Sequence, residues 1–317
     1  MKRRILQTAA VALQWPVIPF LLFVRFIPEA WARRAARPLG WIMRISARDR
    51  ILKGVGRITK GEPLVPQESA DFWKRHLQHL GESCIEPFYM LFASDETLKN
   101  RIAIEGEHHL ETLLENGSGA ILFINHLGSP GAIVAGLGIR GYDLTIAGNR
   151  IVATIAGEEL PLDRLESLVQ HMFQRGGVQR SLLGEGLPRQ LAEALKRNAV
   201  FAMFVDFPVV TKHNHRFRLG QADLNVNLGP ALLAVRHGAP VLTVTCIRCG
   251  LGTHRLRIHP PLNLPQGQDG LRSRSIELMR TAIQEFEQVF MEHPEQWWPW
   301  DWADISPREF TPKQPTN

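Results

Sequence analysis

The chain has 317 residues, 44% of them hydrophobic, with 37 Lys and Arg against 31 Asp and Glu. That length and composition exclude a disordered chain and allow one large or two modest domains with a real core, while a charge of +6 and a pI near 9.5 suit a negative partner or surface. Three cysteines are too few for a disulfide framework, so a reducing compartment is expected, and the C-x-x-C of Cys246 and Cys249 lacks the second pair that a zinc site needs.

In chain order, MKRR is followed by a mostly apolar stretch from Ile5 to Val24, interrupted by Gln7, Gln14, Pro16 and Pro19 and flanked by arginines with Trp15 and Trp31 interleaved. The length approaches that of a bilayer span, but the glutamines, prolines and basic flanks favour a membrane-surface or shallowly inserted helix. A cleaved signal would need a small-residue cleavage site, which the basic and apolar continuation does not offer. Residues 1–45 are therefore expected to form a membrane-associating helical segment, and 46–317 an α/β domain. Gly61-Glu62-Pro63 reads as a connector, and Ser69 to Leu80 as a helix that Gly81 either ends or marks as a close contact. Glu86 follows in an otherwise apolar segment, where a carboxylate needs a partner.

Ile102 to Glu105 reads as a strand, His108 to Asn116 as a helix and Ala120 to Ile124 as a short, continuous, buried strand. This β-α-β spacing builds a sheet with helices on its faces, so the expected fold is α/β with a central mostly parallel sheet. The run GAILFINHLGSPG, residues 119–131, then places His126 in a strand-to-helix loop, the edge where open α/β sheets bind ligands. Ser129 reads as a helix cap more than as a nucleophile, since no G-x-S-x-G elbow is present.

Further along, Thr145 to Ala147 reads as a strand leading to Arg150, and Leu160 to Gln174 and Arg189 to Arg197 as helices. Ala199 to Val205 is a second buried apolar strand, and it ends at Asp206. The basic run TKHNHRFRLGQ reads as a phosphate-contacting loop, with Lys212, Arg216 and Arg218 as its cations; its H-N-H triplet has no further ligand spacing to make a metal site. Leu228 to His237 is expected as helix, Val241 to Ile247 and Leu256 to His259 as strands, and Arg274 to Glu292 as the longest helix. The tail PEQWWPWDW suits a core lid or a membrane-level belt. P-loop and dinucleotide fingerprints are missing, and the positive charge comes without a nucleic-acid motif.

In this order and spacing the pattern resembles the lipid A biosynthesis acyltransferases of the lysophospholipid acyltransferase superfamily. The resemblance rests on the basic, apolar N-terminus, Leu80-Gly81 with Glu86 behind it, IEGEHHLETLLENGSGAILFINHLGS, Arg150, FVDF at Asp206, FRLGQ, LLAVRHGAPVLTV and HPEQWWPW. It implies acyl transfer from an acyl carrier protein or coenzyme A thioester to a hydroxyl or amine of a lipid or secondary-metabolite acceptor, at the cytoplasmic face of a bacterial inner membrane, without metal or redox cofactor. His126 is the implied general base. The family motif places an acid five positions after the histidine, and here that position is Gly131. Asp206 is the first substitute and Glu86 the second. Asn125, Gly128, Ser129, Arg150, Lys212, Arg216 and Arg218 are the substrate-binding candidates, and the glycine leaves a non-catalytic relative that binds lipid or carrier protein as the alternative.

Overall fold

The computed structural model describes Phe23 and residues 26–307, apart from 45–46, 60–64, 150–151, 156–157, 162–165, 168–169, 172, 175, 185, 207–212, 268–269 and 302. The expected helix within Ile5 to Val24, and the candidates Arg150 and Lys212, thus lie outside the described residues. No helix among the described residues is long and apolar enough to cross a membrane.

A seven-stranded sheet organises the chain, in the order β1 (Ile102–Glu105), β11 (Thr253–Ile258), β10 (Val241–Gly250), β2 (Ala120–Ile124), β7 (Val200–Phe204), β3 (Leu144–Gly148) and β6 (Gln179–Leu182). The five strands from β10 to β6 run parallel, and β11 with β1 runs the other way. At the centre, β2 pairs with β7 from Ala120↔Val200 to Ile124↔Phe204. Every residue of β2 is buried, as a continuous apolar run demands when helices cover both faces of the sheet. One apolar layer gathers Ile121, Phe123, Phe201, Met203 and the buried face of the long C-terminal helix, and the other gathers Leu122, Ile124, Ala202 and the helix that follows β2. The expected α/β architecture with a mostly parallel central sheet is therefore present.

Nine helices are bounded within the described residues: α1 (Glu29–Arg44), α2 (Arg48–Thr59), α3 (Pro66–Phe92), α4 (Asp95–Arg101), α5 (Glu107–Glu115), α6 (Pro130–Gly138), α7 (Leu187–Lys196), α8 (Gly229–His237) and α9 (Leu271–Glu292). The longest is α3, not α9. It continues through Gly81, because that glycine is a close contact and not a stop: a Cβ there would fall 1.7 Å from the Ala36 carbonyl oxygen of α1. Glu86 is consequently inside the helix, where its carboxylate is buried.

Two expectations are corrected. The helix expected from Leu160 begins later, because Leu160 and Pro161 belong to β5 (Glu158–Pro161), paired antiparallel with the β-branched strand β4 (Val152–Ile155). Proline is tolerated at such an edge position, and the described residues from 166 to 174 are helical. The basic loop is largely a strand as well. Asn214–Leu219 forms β8, paired with β9 (Ala222–Asn227), which in turn carries β12 (Ile305–Pro307); buried Phe217 and Leu219 alternate with outward Arg216 and Arg218, the period of a half-buried strand.

Candidate active site

Parallel pairing of β2 with β7 brings the two polar residues that follow these strands side by side. Asp206 accepts three hydrogen bonds: His126 Nδ1 lies 2.7 Å from Oδ1, the His126 backbone N–H donates to Oδ2 at 2.7 Å, and Trp297 Nε1–H donates to Oδ2 at 2.8 Å. A carboxylate can only accept, so Nδ1 carries the ring proton and Nε2 is the basic nitrogen of the neutral imidazole. The Asp206 side chain is fully buried and that of His126 is 15% exposed. Phe204, the last residue of β7, stacks on the imidazole at 4.1 Å between centroids. Ring position and tautomer are thus both fixed before any substrate arrives.

The loop after His126 is held by its own turn and by the C-terminal segment. Asn125 Oδ1 accepts the Leu127 N–H at 3.1 Å, and Ser129 Oγ caps α6 by accepting the Ala132 N–H at 3.2 Å. The Gly128 N–H donates to the Gln296 carbonyl at 3.0 Å, and the Trp298 N–H donates to the His126 carbonyl at 3.2 Å. Gly128 has φ +65°, and a Cβ there would lie 2.3 Å from the Cys246 carbonyl oxygen, so glycine is required by the close approach of β10. The side chains of Asn125 and Ser129 and the N–H of Gly128 therefore build the loop.

Other sequence candidates lie elsewhere. Glu86 is occupied by a buried cluster: Arg248 Nη2–H donates to Oε2 at 2.9 Å and Nε–H to Oε1 at 3.2 Å, while His254 Nε2 lies 2.6 Å and the Gly252 N 3.1 Å from Oε1. Burial works to raise the Glu86 carboxyl, but the Arg248 and then the His254 charges hold it well below the usual carboxylate range. For His254, burial works downward and the Glu86 carboxylate prevails, lifting the imidazole to about 9. Arg216 pairs with Asp304 and Ser306, and Arg218 donates to the Gly220 carbonyl at 3.1 Å; β-pairing has turned these cations from loop contacts into the outer face of a small sheet.

His126 lines a cavity of about 320 Å³ whose other walls include Ala147, Met203, Phe204, Leu187, Leu232 and Leu233, with Asn149 and Asn227 as polar residues. Gly131 is the second residue of α6, and a Cβ there would meet only Ser129 Oγ at 3.8 Å. No steric demand keeps it glycine. Trp297 and Phe204 are the site residues that sequence reading missed: the first lies 91 residues from the carboxylate it binds, and the second is indistinguishable from any apolar strand residue.

A buried carboxylate fixes a histidine beside an apolar cavity at the carboxyl edge of an open α/β sheet, an arrangement that can move a proton next to a hydrophobic group. Residues 1–300 match the family model described as bacterial lipid A biosynthesis acyltransferase, and the chain belongs to that family. It is thereby an acyltransferase-family protein of lipid biosynthesis. Comparison with the curated proteins finds no match.

Proposed function

We propose that the protein moves an acyl group from an acyl carrier protein or coenzyme A thioester to a hydroxyl or amine of a lipid or secondary-metabolite acceptor. The observation that carries this reading is the buried Asp206 holding His126 on the wall of the apolar cavity. In this reading the acyl chain occupies the cavity, and His126 Nε2 takes the acceptor proton as the acceptor attacks the thioester carbonyl. Asp206 stabilises the imidazolium that results, and proton return to the departing thiolate completes the transfer. An amine acceptor, nucleophilic when neutral, needs less from the base. The N–H groups of Ser129 and Gly131, which have no acceptor among the described residues, are the donors we assign to the developing oxyanion.

We further propose that the protein works at the cytoplasmic face of a bacterial inner membrane, with residues 1–45 as its membrane-associating part and 46–317 as the acyltransferase domain. In support, Phe26, Trp31, Trp41 and Ile42 are exposed in and beside α1, and the Arg34 guanidinium lies 5.4 Å from the Trp31 ring centroid; aromatic and basic groups interleaved on one exposed element suit a headgroup layer.

The direct test is label transfer from radiolabelled acyl-carrier protein or acyl-coenzyme A into a membrane extract. Transfer that His126→Ala abolishes supports the reading; transfer unchanged by His126→Ala removes the histidine as base. Absence of transfer from every donor offered to the wild type supports the non-catalytic alternative. Two specific outcomes are also expected. Gly131→Ala should keep turnover within a factor of about three, since the added methyl group meets open space and Asp206 already serves Nδ1. Leu233→Trp should shift preference toward shorter acyl chains, seen as a change in kcat/KM across a thioester series, because it fills part of the cavity.

A further inference from the structure

A second opening, of about 370 Å³, lies between α1, α3, the end of β10 and residues 295–296, and shares no lining residue with the cavity at His126. We propose that it is a binding site for a compact phosphate dianion, carried either by a soluble phosphate or by a phospholipid headgroup. This inference does not rest on the acyl-transfer reading.

Five cations line the cleft: Arg33 and Arg37 from α1, Lys74 and Arg75 from α3, and Arg248 from β10. Three carboxylates accompany them. Glu82 accepts from Arg33 at 3.0 Å, Glu295 lies 3.9 Å from Arg75, and Asp71 takes the Gln67 amide at 3.1 Å. Arg248 is balanced from behind by Glu86. Arg37 and Lys74, on the facing helices, form no ion pair among the described residues, and Asp71 pairs with no cation either, so with Glu86 counted the cleft keeps a net charge of +1, carried by two cations that are free to meet an anion.

The floor adds a directional donor. His79 is 4% exposed, and Arg248 Nη1–H donates to its Nδ1 at 2.6 Å. An arginine cannot accept, so Nδ1 is the acceptor and the neutral ring carries its proton on Nε2. Burial first, and then the neighbouring Arg248 charge, hold this imidazole well below its ordinary value, which keeps the ring neutral. The His79 Nε2–H has no hydrogen-bond partner. A buried donor in that state is costly and asks for an acceptor; Nε2 is sealed from solvent, so an anionic oxygen in the cleft would meet it only once its cover moves. Occupancy would also be felt at the catalytic loop. Gln296 Oε1 accepts the Arg248 N–H at 2.7 Å, its Nε2–H donates to the Arg248 carbonyl at 3.1 Å, and its own carbonyl holds the Gly128 N–H.

The test uses the full chain in detergent, with inorganic phosphate titrated against chloride at matched ionic strength and thermal melting as readout, and in parallel flotation with phosphatidic acid or phosphatidylcholine vesicles. Saturable stabilisation by inorganic phosphate, weakened about tenfold in Arg37→Ala/Lys74→Ala and unchanged in the control Arg189→Ala, an exposed arginine of α7 outside the cleft, is the expected result for a soluble ligand. Capture by phosphatidic acid vesicles alone, lost in the double variant and kept in the control, assigns the same site to a headgroup. Equal behaviour of wild type and double variant toward both probes, or binding of neither, overturns the proposal.

Discussion

Replacing Asp206 by asparagine is expected to lower acyl transfer by about 10²- to 10⁴-fold, on the order of 3–5 kcal/mol of transition-state stabilisation. The carboxylate accepts from Nδ1 and from the backbone N–H of His126, and from Trp297. An asparagine keeps one acceptor oxygen and turns its amide donor toward one of these N–H groups. Either the loop shifts or the imidazole changes tautomer and presents a protonated Nε2 to the cavity, and both outcomes would disable the base that we propose. His126→Ala should show a loss of similar size, and the double variant should be hardly worse than either single one, because a dyad acts as one unit. A variant with Asp206→Asn that retains wild-type kcat on every thioester would sink the dyad. Stability has to be measured alongside, since the lost hydrogen bonds are worth about 1–3 kcal/mol. Trp297→Phe separates the two effects: it removes one donor to Asp206, leaves both bonds to His126, and should lower kcat far less.

The second large effect is on stability. Glu86→Gln should destabilise the fold by about 3–5 kcal/mol at pH 7, read by urea denaturation, because it leaves His254 without its carboxylate and Arg248 with only Glu82, 4.0 Å away, in a fully buried cluster. The pH dependence gives the mechanism away. His254 is raised in the folded state, from an ordinary 6.5 to about 9, so its contribution is complete below pH 6.5 and is lost as pH rises through 9. Glu86 is lowered, so its contribution is complete above the ordinary carboxylate range and is lost only as the solution becomes strongly acidic. Wild-type stability should therefore decline between pH 6.5 and 9, and Glu86→Gln should lack most of that slope, since the variant's His254 sheds its proton earlier. A loss under about 1 kcal/mol with the slope intact would show that other groups hold the charges.

Much of the sheet was legible from the sequence, for a physical reason. Strands buried on both faces are short, continuous and apolar, and β2 starts and ends where that run does, at Ala120 and Ile124. Helix limits were less legible, because Gly81 breaks helices by propensity and permits them by packing, and only the position of Ala36 decides which. Strand β8 was hidden by its charge: three basic residues on six positions look like a loop until Phe217 and Leu219 find a core. At the site, Asp206 was legible because parallel neighbours bring their carboxyl ends together, so two polar residues that each end an apolar run become one pair. The placement of Glu86 was not, since its partners Arg248, Gly252 and His254 come from β10, β11 and the turn between them, more than 160 residues away.

The grip of residues 296–298 on the loop has a consequence in time. The bonds from Gly128 to Gln296, from Trp298 to His126 and from Trp297 to Asp206 all require residues that come about 90 positions after Asp206 in the sequence. A ribosome delivers His126 and Asp206 long before it delivers these partners, so a growing chain carries both halves of the dyad without the strap that fixes them. The emergence of residues 296–298 completes the bracing of the loop, and a chain that stops short of Pro294 lacks all three bonds however well its sheet has formed.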